Sequence, residues 1–426
     1  MLAEAFVTED VPTVEDALAG ARDIIAELIA DDANVRKRLR VVCFANGYLT
    51  SKAAKEEDSV YANYYDFREP LNKVPGHRVL AINRGEREEF LKVHVEFDPA
   101  HAMRIVYSEH LKADCPATAQ VQMAAEDSYD RLIFPSLERE MRNLLSDTSS
   151  EAAIKVFGVN LRQLLMQPPV KGRVTLGLDP GYQHGCKCAV IDATGKVLDT
   201  GIIYPVPQFK RMEQAQKTIL GFIKKHKVEV IAIGNGTASH ETEVFTADLI
   251  RENNLTGVSY MVVSEAGASV YSASKLAAQE FPDYDVNLRS AVSIARRMQD
   301  PLAELVKIDP KAIGVGQYQH DLPQSKLSET LNGVVESCVN AVGVDLNTAS
   351  APLLEQVAGI NATVAKNIVA YREENGVFTS RAALKKVPKL GPKAFEQCAG
   401  FLRVPESKNL LDHTAVHPES YPVAKE

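Results

Sequence analysis

Two five-residue segments, Val357-Ala-Gly-Ile-Asn361 and Val387-Pro-Lys-Leu-Gly391, recur 30 residues apart, and each opens a helical pattern. The apolar residues that follow at helical spacing are Val364, Ala365, Ile368 and Val369 in the first copy, and Ala394, Phe395 and Ala399 in the second. A helix start beside a glycine leaves unpaired N–H groups pointing outward. Those donors and the positive end of the helix dipole attract phosphate, and glycine lets the backbone approach it closely. Lys366, Arg372, Arg381, Lys385, Lys386, Lys389, Lys393 and Arg403 crowd the same region. Residues 340–404 therefore hold eight Lys/Arg against five Asp/Glu, within a chain whose formal net charge is −8. The basic charge is local.

One such turn is an ordinary connector between helices. Two in tandem, the second with Pro392 suited to the first helical position, read as a helix-hairpin-helix pair. A pair of this kind grips RNA or DNA through the phosphate backbone and carries little sequence information. Gly391, Lys389 and Lys393 are the strongest candidate phosphate contacts, and Gly359, Asn361 and Lys366 the weaker ones. The acidic total argues against a protein that coats nucleic acid non-specifically, and is compatible with a localised grip.

With 426 residues, 45% of them apolar, the chain has material for about two to four domains. No apolar run approaches the roughly 18 residues of a membrane span. The N-terminus carries Glu4, Glu9 and Asp10 where a signal peptide is basic, so the expected location is the cytoplasm, with no membrane partner. Six scattered cysteines give neither a zinc spacing nor a secreted disulfide framework, and the ten histidines show no paired ligand spacing. No metal and no cofactor is expected. Cys186 and Cys188 point to one face of a strand and read as buried thiols.

Residues 1–168 read as mainly helical, with helices over 14–30, 34–42, 135–145 and 152–165. Within this region 78–85 and 91–97 suggest two strands flanking a charged turn, where Arg78, Arg84 and Arg87 could meet a phosphate. Gln167-Pro-Pro169 breaks the helix. Strands then follow at 174–178, 186–191 and 197–203. After Pro205 and Pro207 come a helix from Lys210 to His226, a strand at 228–233, a helix at 241–252, a strand at 258–263 and closing helices at 288–298 and 301–307. Three meandering strands followed by alternating helices and strands make the mixed sheet of a ribonuclease-H-like domain, at 172–300. A helical connector (301–339), the hairpin pair (340–404) and a linker (405–426) complete the chain. The fold class is multidomain and mainly α, with an inserted α/β domain.

Asp179 ends the first strand in Gly177-Leu-Asp-Pro-Gly181, where such folds put their first carboxylate. A nuclease of this type needs three or four carboxylates converging on two Mg²⁺ ions. The supply is short. Glu265 is a reasonable second, but the strand before it ends in Gly234-Asn-Gly-Thr237, and Glu241 already lies in the next helix. The closing helix carries Arg289, Arg296 and Arg297, which repel a metal. The site reads as degenerate, with Asp179, Glu265 and Glu241 as vestigial residues and no catalysis expected.

The order of Gly-Leu-Asp-Pro-Gly (177–181), Gly-Asn-Gly-Thr-Ala-Ser-His-Glu-Thr-Glu (234–243), Ser-Glu-Ala-Gly-Ala-Ser-Val-Tyr-Ser-Ala-Ser (264–274), Gln-Asp-Pro-Leu-Ala-Glu-Leu-Val-Lys-Ile-Asp-Pro-Lys (299–311), Val-Gly-Gln-Tyr-Gln-His-Asp (315–321) and Gly-Val-Asp-Leu-Asn-Thr-Ala-Ser (343–350) closely resembles the Tex family of bacterial transcription accessory proteins. The resemblance covers essentially the whole chain. It implies a YqgF-type ribonuclease-H-like domain, a helix-hairpin-helix pair and a role in transcription, with RNA polymerase as a candidate partner. It also implies more helical sequence upstream and an oligonucleotide-binding-fold RNA-binding domain downstream, both missing here, so 405–426 is expected to lead to an absent domain. One departure concerns the grip: Asn361 stands where the family pattern has a second glycine, and is expected to tolerate a left-handed backbone. The leading expectation is a non-enzymatic nucleic-acid-binding scaffold. The alternatives are a metal-dependent nuclease of the resolvase type using Asp179 and Glu265, and a protein-docking module for the transcription machinery.

Overall fold

Thr13 accepts a hydrogen bond from the Asp16 amide and starts α1 (Val14–Asp31), and Asp32 caps α2 (Ala33–Asn46) in the same way. The computed structural model describes residues 3–55, 57–111, 115–206 and 211–425. It divides into two compact units, Met1–Lys155 with Gln317–Pro323, and Val156–Gly316 with Gln324–Glu426.

In the first unit β1 (Tyr48–Ala53) is the centre of a three-stranded antiparallel sheet, flanked by β2 (Asp66–Pro70) and β3 (Leu91–Glu96). Between β2 and β3 lies α3 (Gly76–Arg87), so the strand expected at 78–85 is a helix. Val79, Leu80, Ala81 and Ile82 are all buried, and a short apolar run enclosed on every side has no periodicity to separate helix from strand. Next come α4 (Pro99–His110), α5 (Thr118–Asp127), a π-helical turn over Ser128–Ile133 and α6 (Phe134–Leu165). The two helices expected within 135–165 are one. Ser146 and Thr148 donate to the carbonyls of Arg142 and Leu144, four residues back, so the polar stretch bonds within the helix where it would otherwise break it. The core of this unit joins Val35, Leu39 and Cys43 of α2, Val93 and Val95 of β3, and Ile133, Leu137 and Met141.

The second unit contains a five-stranded sheet in the order β6-β5-β4-β7-β8, formed by β4 (Thr175–Asp179), β5 (Cys186–Ile191), β6 (Val197–Ile203), β7 (Val230–Gly234) and β8 (Ser259–Val263). β5 runs antiparallel to both β4 and β6, whereas β4, β7 and β8 are parallel. The parallel crossovers are α7 (Met212–His226) and α8 (Ser239–Glu252). Pro207 and Lys210, expected as a break and a helix start, lie outside the described residues.

One face of the sheet buries Leu176, Leu178, Cys186 and Cys188 against Ile219, Phe222 and Phe245. After the short α9 (Ala268–Ser272) and α10 (Lys275–Glu280), α11 (Val286–Gln299) covers the other face with Ala291, Ile294 and Ala295. Gly177 is required by that packing, since a Cβ there would lie 2.3 Å from the Ala291 carbonyl oxygen.

α12 (Pro301–Leu305) leads on to α13 (Gln324–Val342), β9 (Val344–Asp345), α14 (Ala351–Glu355), α15 (Ala362–Asn375), α16 (Pro392–Cys398) and β10 (Leu402–Arg403). β9 and β10 pair in parallel and close the hairpin region. The segment 405–426, expected as a linker, carries two 3₁₀ turns and α17 (Tyr421–Ala424) and is tied back by Arg381.

Candidate nucleic-acid interface and carboxylate site

The two repeated turns share one backbone design. Val357 and Ile360 are buried in the first, Val387 and Leu390 in the second, and in each the fourth residue donates its amide to the first residue's carbonyl. The third residue is left-handed in both: Gly359 has φ +81° and Lys389 φ +65°. The surroundings explain why the residues differ. Both positions are exposed, but a Cβ on Gly359 would lie 2.7 Å from the Gln397 Cβ and 3.1 Å from the Ala394 carbonyl, so that position has no room for a side chain.

The fifth residue caps the following helix. Asn361 is extended (φ −96°, ψ 170°), so the left-handed conformation that Asn tolerates is not called on here, and its side chain accepts the Val364 amide at 3.0 Å. That bond takes one of the free donors of α15 away from any external anion. Gly391 (φ −76°, ψ 169°) has no capping side chain, and the space beside it is open. The second turn is braced to α15, whose Asn367 side-chain Nδ2 donates to the Pro388 carbonyl at 2.7 Å.

The eight basic residues of this region separate into two sets. Lys366, Lys385, Lys386, Lys389 and Lys393 are exposed, with Lys385 resting over the Phe395 ring. The three arginines are structural. Arg381 is 1% exposed and donates to the carbonyls of Leu402, Leu411, Thr414 and Val416 and to the Tyr421 hydroxyl. Arg372 bonds the Leu346 and Ala349 carbonyls, and Arg403 the Gly400 carbonyl. In the other unit, Arg84 and Arg87 both pair with Asp321, and Arg78 with Glu69, so none of the three stands free in a loop for a phosphate.

The ribonuclease-H-like sheet brings Asp179 and Glu265 together at the carboxyl ends of its parallel strands. Burial raises the Asp179 carboxyl above its ordinary range, against a hydrogen bond from Ser290 and the attraction of Lys187 and Arg297. Burial also raises Glu265, and the nearby Asp179 raises it further, while the Gly236 amide and Arg297 oppose the shift. Gly236 is needed for this contact, because a Cβ there would sit 1.7 Å from Glu265 Oε1. Lys187 stands directly across the β4–β5 ladder from Asp179, with Nζ bonded to the Gly185 carbonyl at 3.2 Å.

Glu241 does not join the pair. Its carboxylate accepts from the exposed Tyr182 hydroxyl at 2.6 Å, a bond that lowers its pKa. Of the three arginines on α11, Arg289 bonds the Phe281 and Ser272 carbonyls and Arg296 the Gly195 carbonyl and Glu280. Arg297 alone faces the carboxylates. Two-metal catalysis needs more carboxylate oxygen than this, and among the described residues no three His, Cys, Asp or Glu side chains converge as a metal site. The residues do not fit a divalent pair. Sequence reasoning noticed Arg297 only as one of three positive groups. It missed Lys187 and Ser290, although the antiparallel register opposite Asp179 was a signal for the lysine.

The fold and these sites define a multidomain protein that joins a mixed-sheet ribonuclease-H-like body to a tandem helix-hairpin-helix region. Residues 173–299 match the Tex protein YqgF-like domain, residues 339–403 the helix-hairpin-helix motif, and residues 1–157 the Tex central region-like profile. The chain is 48% identical over 430 residues to the Transcriptional accessory protein Tex of Neisseria gonorrhoeae, covering 99% of this chain and 56% of that protein. It is 48% identical over 433 residues to Protein YhgF of Escherichia coli, with coverages of 99% and 56%. Against the human S1 RNA-binding domain-containing protein 1 the identity is 43% over 412 residues, 92% of this chain and 41% of the relative. The chain belongs to the Tex family. It spans little more than half the length of its bacterial relatives. Among the described residues no helix is long and apolar enough to cross a membrane.

Proposed function

We propose that this chain is a cytoplasmic nucleic-acid-binding scaffold of the transcription machinery that grips RNA or DNA backbones through its paired hairpins and cuts nothing at Asp179 and Glu265. The observation that carries this reading is the pair of matching turns. Each has a left-handed third residue and a helix start at the fifth, and the second places Lys389 and Lys393 in solvent on either side of the uncapped Gly391. Backbone donors at a helix start together with lysines that make no ion pair among the described residues suit phosphate. The family membership and the helix-hairpin-helix match support the same reading.

The test is a fluorescence-anisotropy titration against labelled single- and double-stranded RNA and DNA at several salt concentrations with Mg²⁺, each end point run on a denaturing gel. Lys389→Glu combined with Lys393→Glu lowers affinity and flattens the salt dependence, because each lost phosphate contact releases fewer counterions. A double variant that binds like the parent at every salt concentration refutes the hairpin assignment. Cleaved product that Asp179→Asn abolishes refutes the non-cleaving half. No binding even at low salt would make this chain a protein-docking body.

A further inference from the structure

α11 carries Ser290, Ser293 and Arg297 at helical spacing on the side that meets Asp179 and Glu265. The Arg297 side chain is 4% exposed, and its Nη1 donates at 2.8 Å to the carbonyls of both Ser264 and Ala266, the two neighbours of Glu265. This clamp fixes the guanidinium beside the carboxylate. Its Nε and Nη2 are buried without a hydrogen-bond partner, as are Glu265 Oε2, Glu304 Oε1 and Ser293 Oγ. Unpartnered donors and acceptors of opposite charge thus share one enclosed place.

The charges there balance. Glu304 pairs with Lys307 at 3.0 Å, and Lys307 and Arg296 each reach Glu280 at 3.1 Å. With Lys187 opposite Asp179, the carboxylates 179, 265, 280 and 304 face the cations 187, 296, 297 and 307. A divalent ion would add two uncompensated charges to a desolvated cluster that is already neutral.

We infer that Arg297 supplies, in covalent form, the positive charge that a metal ion supplies in a competent ribonuclease-H-like site, so that Asp179 and Glu265 exclude divalent cations until Arg297 is removed. This deepens the non-cleaving half of the reading above and is independent of the hairpins. A failure of the Lys389 and Lys393 experiment leaves it intact, and metal binding is read separately from cleavage.

The experiment titrates the full chain with Mn²⁺ and follows free metal by electron paramagnetic resonance. The parent shows no site that Asp179→Asn removes. Arg297→Met gains one Mn²⁺ site, about tenfold or more tighter than anything in the parent, and the added Asp179→Asn change abolishes it. Circular dichroism confirms folding; if Arg297→Met does not fold, Arg297→Gln, whose amide still reaches toward the two carbonyls, carries the same expectation. A parent Mn²⁺ site that Asp179→Asn eliminates overturns the inference. So does a folded Arg297 variant that binds Mn²⁺ no better than the parent.

Discussion

Lys389 is a residue with a side chain in a conformation that favours glycine, at the apex of the turn proposed to grip phosphate, so stability and binding should oppose each other there. Its φ of +65° costs a side-chain-bearing residue about 1–2 kcal/mol relative to glycine. Glycine gives back about 0.5–1 kcal/mol through the greater freedom of the unfolded chain. Lys389→Gly should therefore stabilise the hairpin region by about 0.75 kcal/mol, within a span of about 0–1.5, read as a higher urea midpoint. The same change removes one cation from the grip, and the slope of log affinity against log salt on duplex DNA should become shallower by about 0.9. Gly359, the matching position 30 residues earlier, supplies the control. With φ +81° and a Cβ that would lie 2.7 Å from the Gln397 Cβ, Gly359→Ala should lower stability by about 2 kcal/mol or more. A Lys389→Gly variant that is less stable than the parent, or that keeps the parent's salt slope, refutes the argument.

Two further outcomes concern stability alone. Arg381→Met leaves the carbonyls of Leu402, Leu411, Thr414 and Val416 without their donor and should cost about 3–5 kcal/mol, with faster proteolysis within 405–425 as the direct readout. Asp199, hydrogen-bonded by Lys225 at 2.7 Å and by His226 at 3.0 Å, has its carboxyl lowered to about 2. A depressed carboxyl contributes stability above its unfolded pKa and loses it as pH falls through the folded one. Asp199→Asn should accordingly cost about 1 kcal/mol near neutrality, solvent exposure discounting the full shift, and denaturation curves of parent and variant should converge towards pH 2.

The α/β domain was legible because its strands are short apolar runs bounded by turn residues and its crossover helices keep a helical period. The strand Cys186–Ile191, buried at every position, and the strand Val197–Ile203 lie on either side of the turn at Ala193-Thr-Gly195. What escaped was set by contacts distant in sequence. The run Val79–Ile82 is enclosed on all sides, which erases the amphipathic signal of a helix, and β1 and β2 were not recognised at all. In 405–426, prolines and missing periodicity suggested a linker, but the segment is held by two buried groups: the Arg381 guanidinium, and the Asp412 carboxylate, which accepts from the Arg381 amide and the Ser407 and Tyr421 hydroxyls.

The carboxylate site and the hairpins carry the same lesson about charge. Counting Lys and Arg over 340–404 makes eight equivalent cations, yet the structure uses them by chemistry. A guanidinium has five donors in a planar fork and can satisfy several carbonyls at once, so Arg372, Arg381 and Arg403 are drawn into main-chain bonds. An ammonium is a compact, strongly hydrated charge on a flexible stem, and the five lysines stay in solvent. The surface that nucleic acid would meet therefore has five lysines against the exposed Glu355, Glu373, Glu374 and Glu396, nearly neutral in sum. Net charge cannot provide the grip. Placement can: Lys389 and Lys393 flank a helix start, whereas Glu373 and Glu374 lie at the far end of α15. Arg297 follows the same rule in the other site, where its Nη1 alone donates to two carbonyls and leaves the rest of the guanidinium facing Asp179 and Glu265.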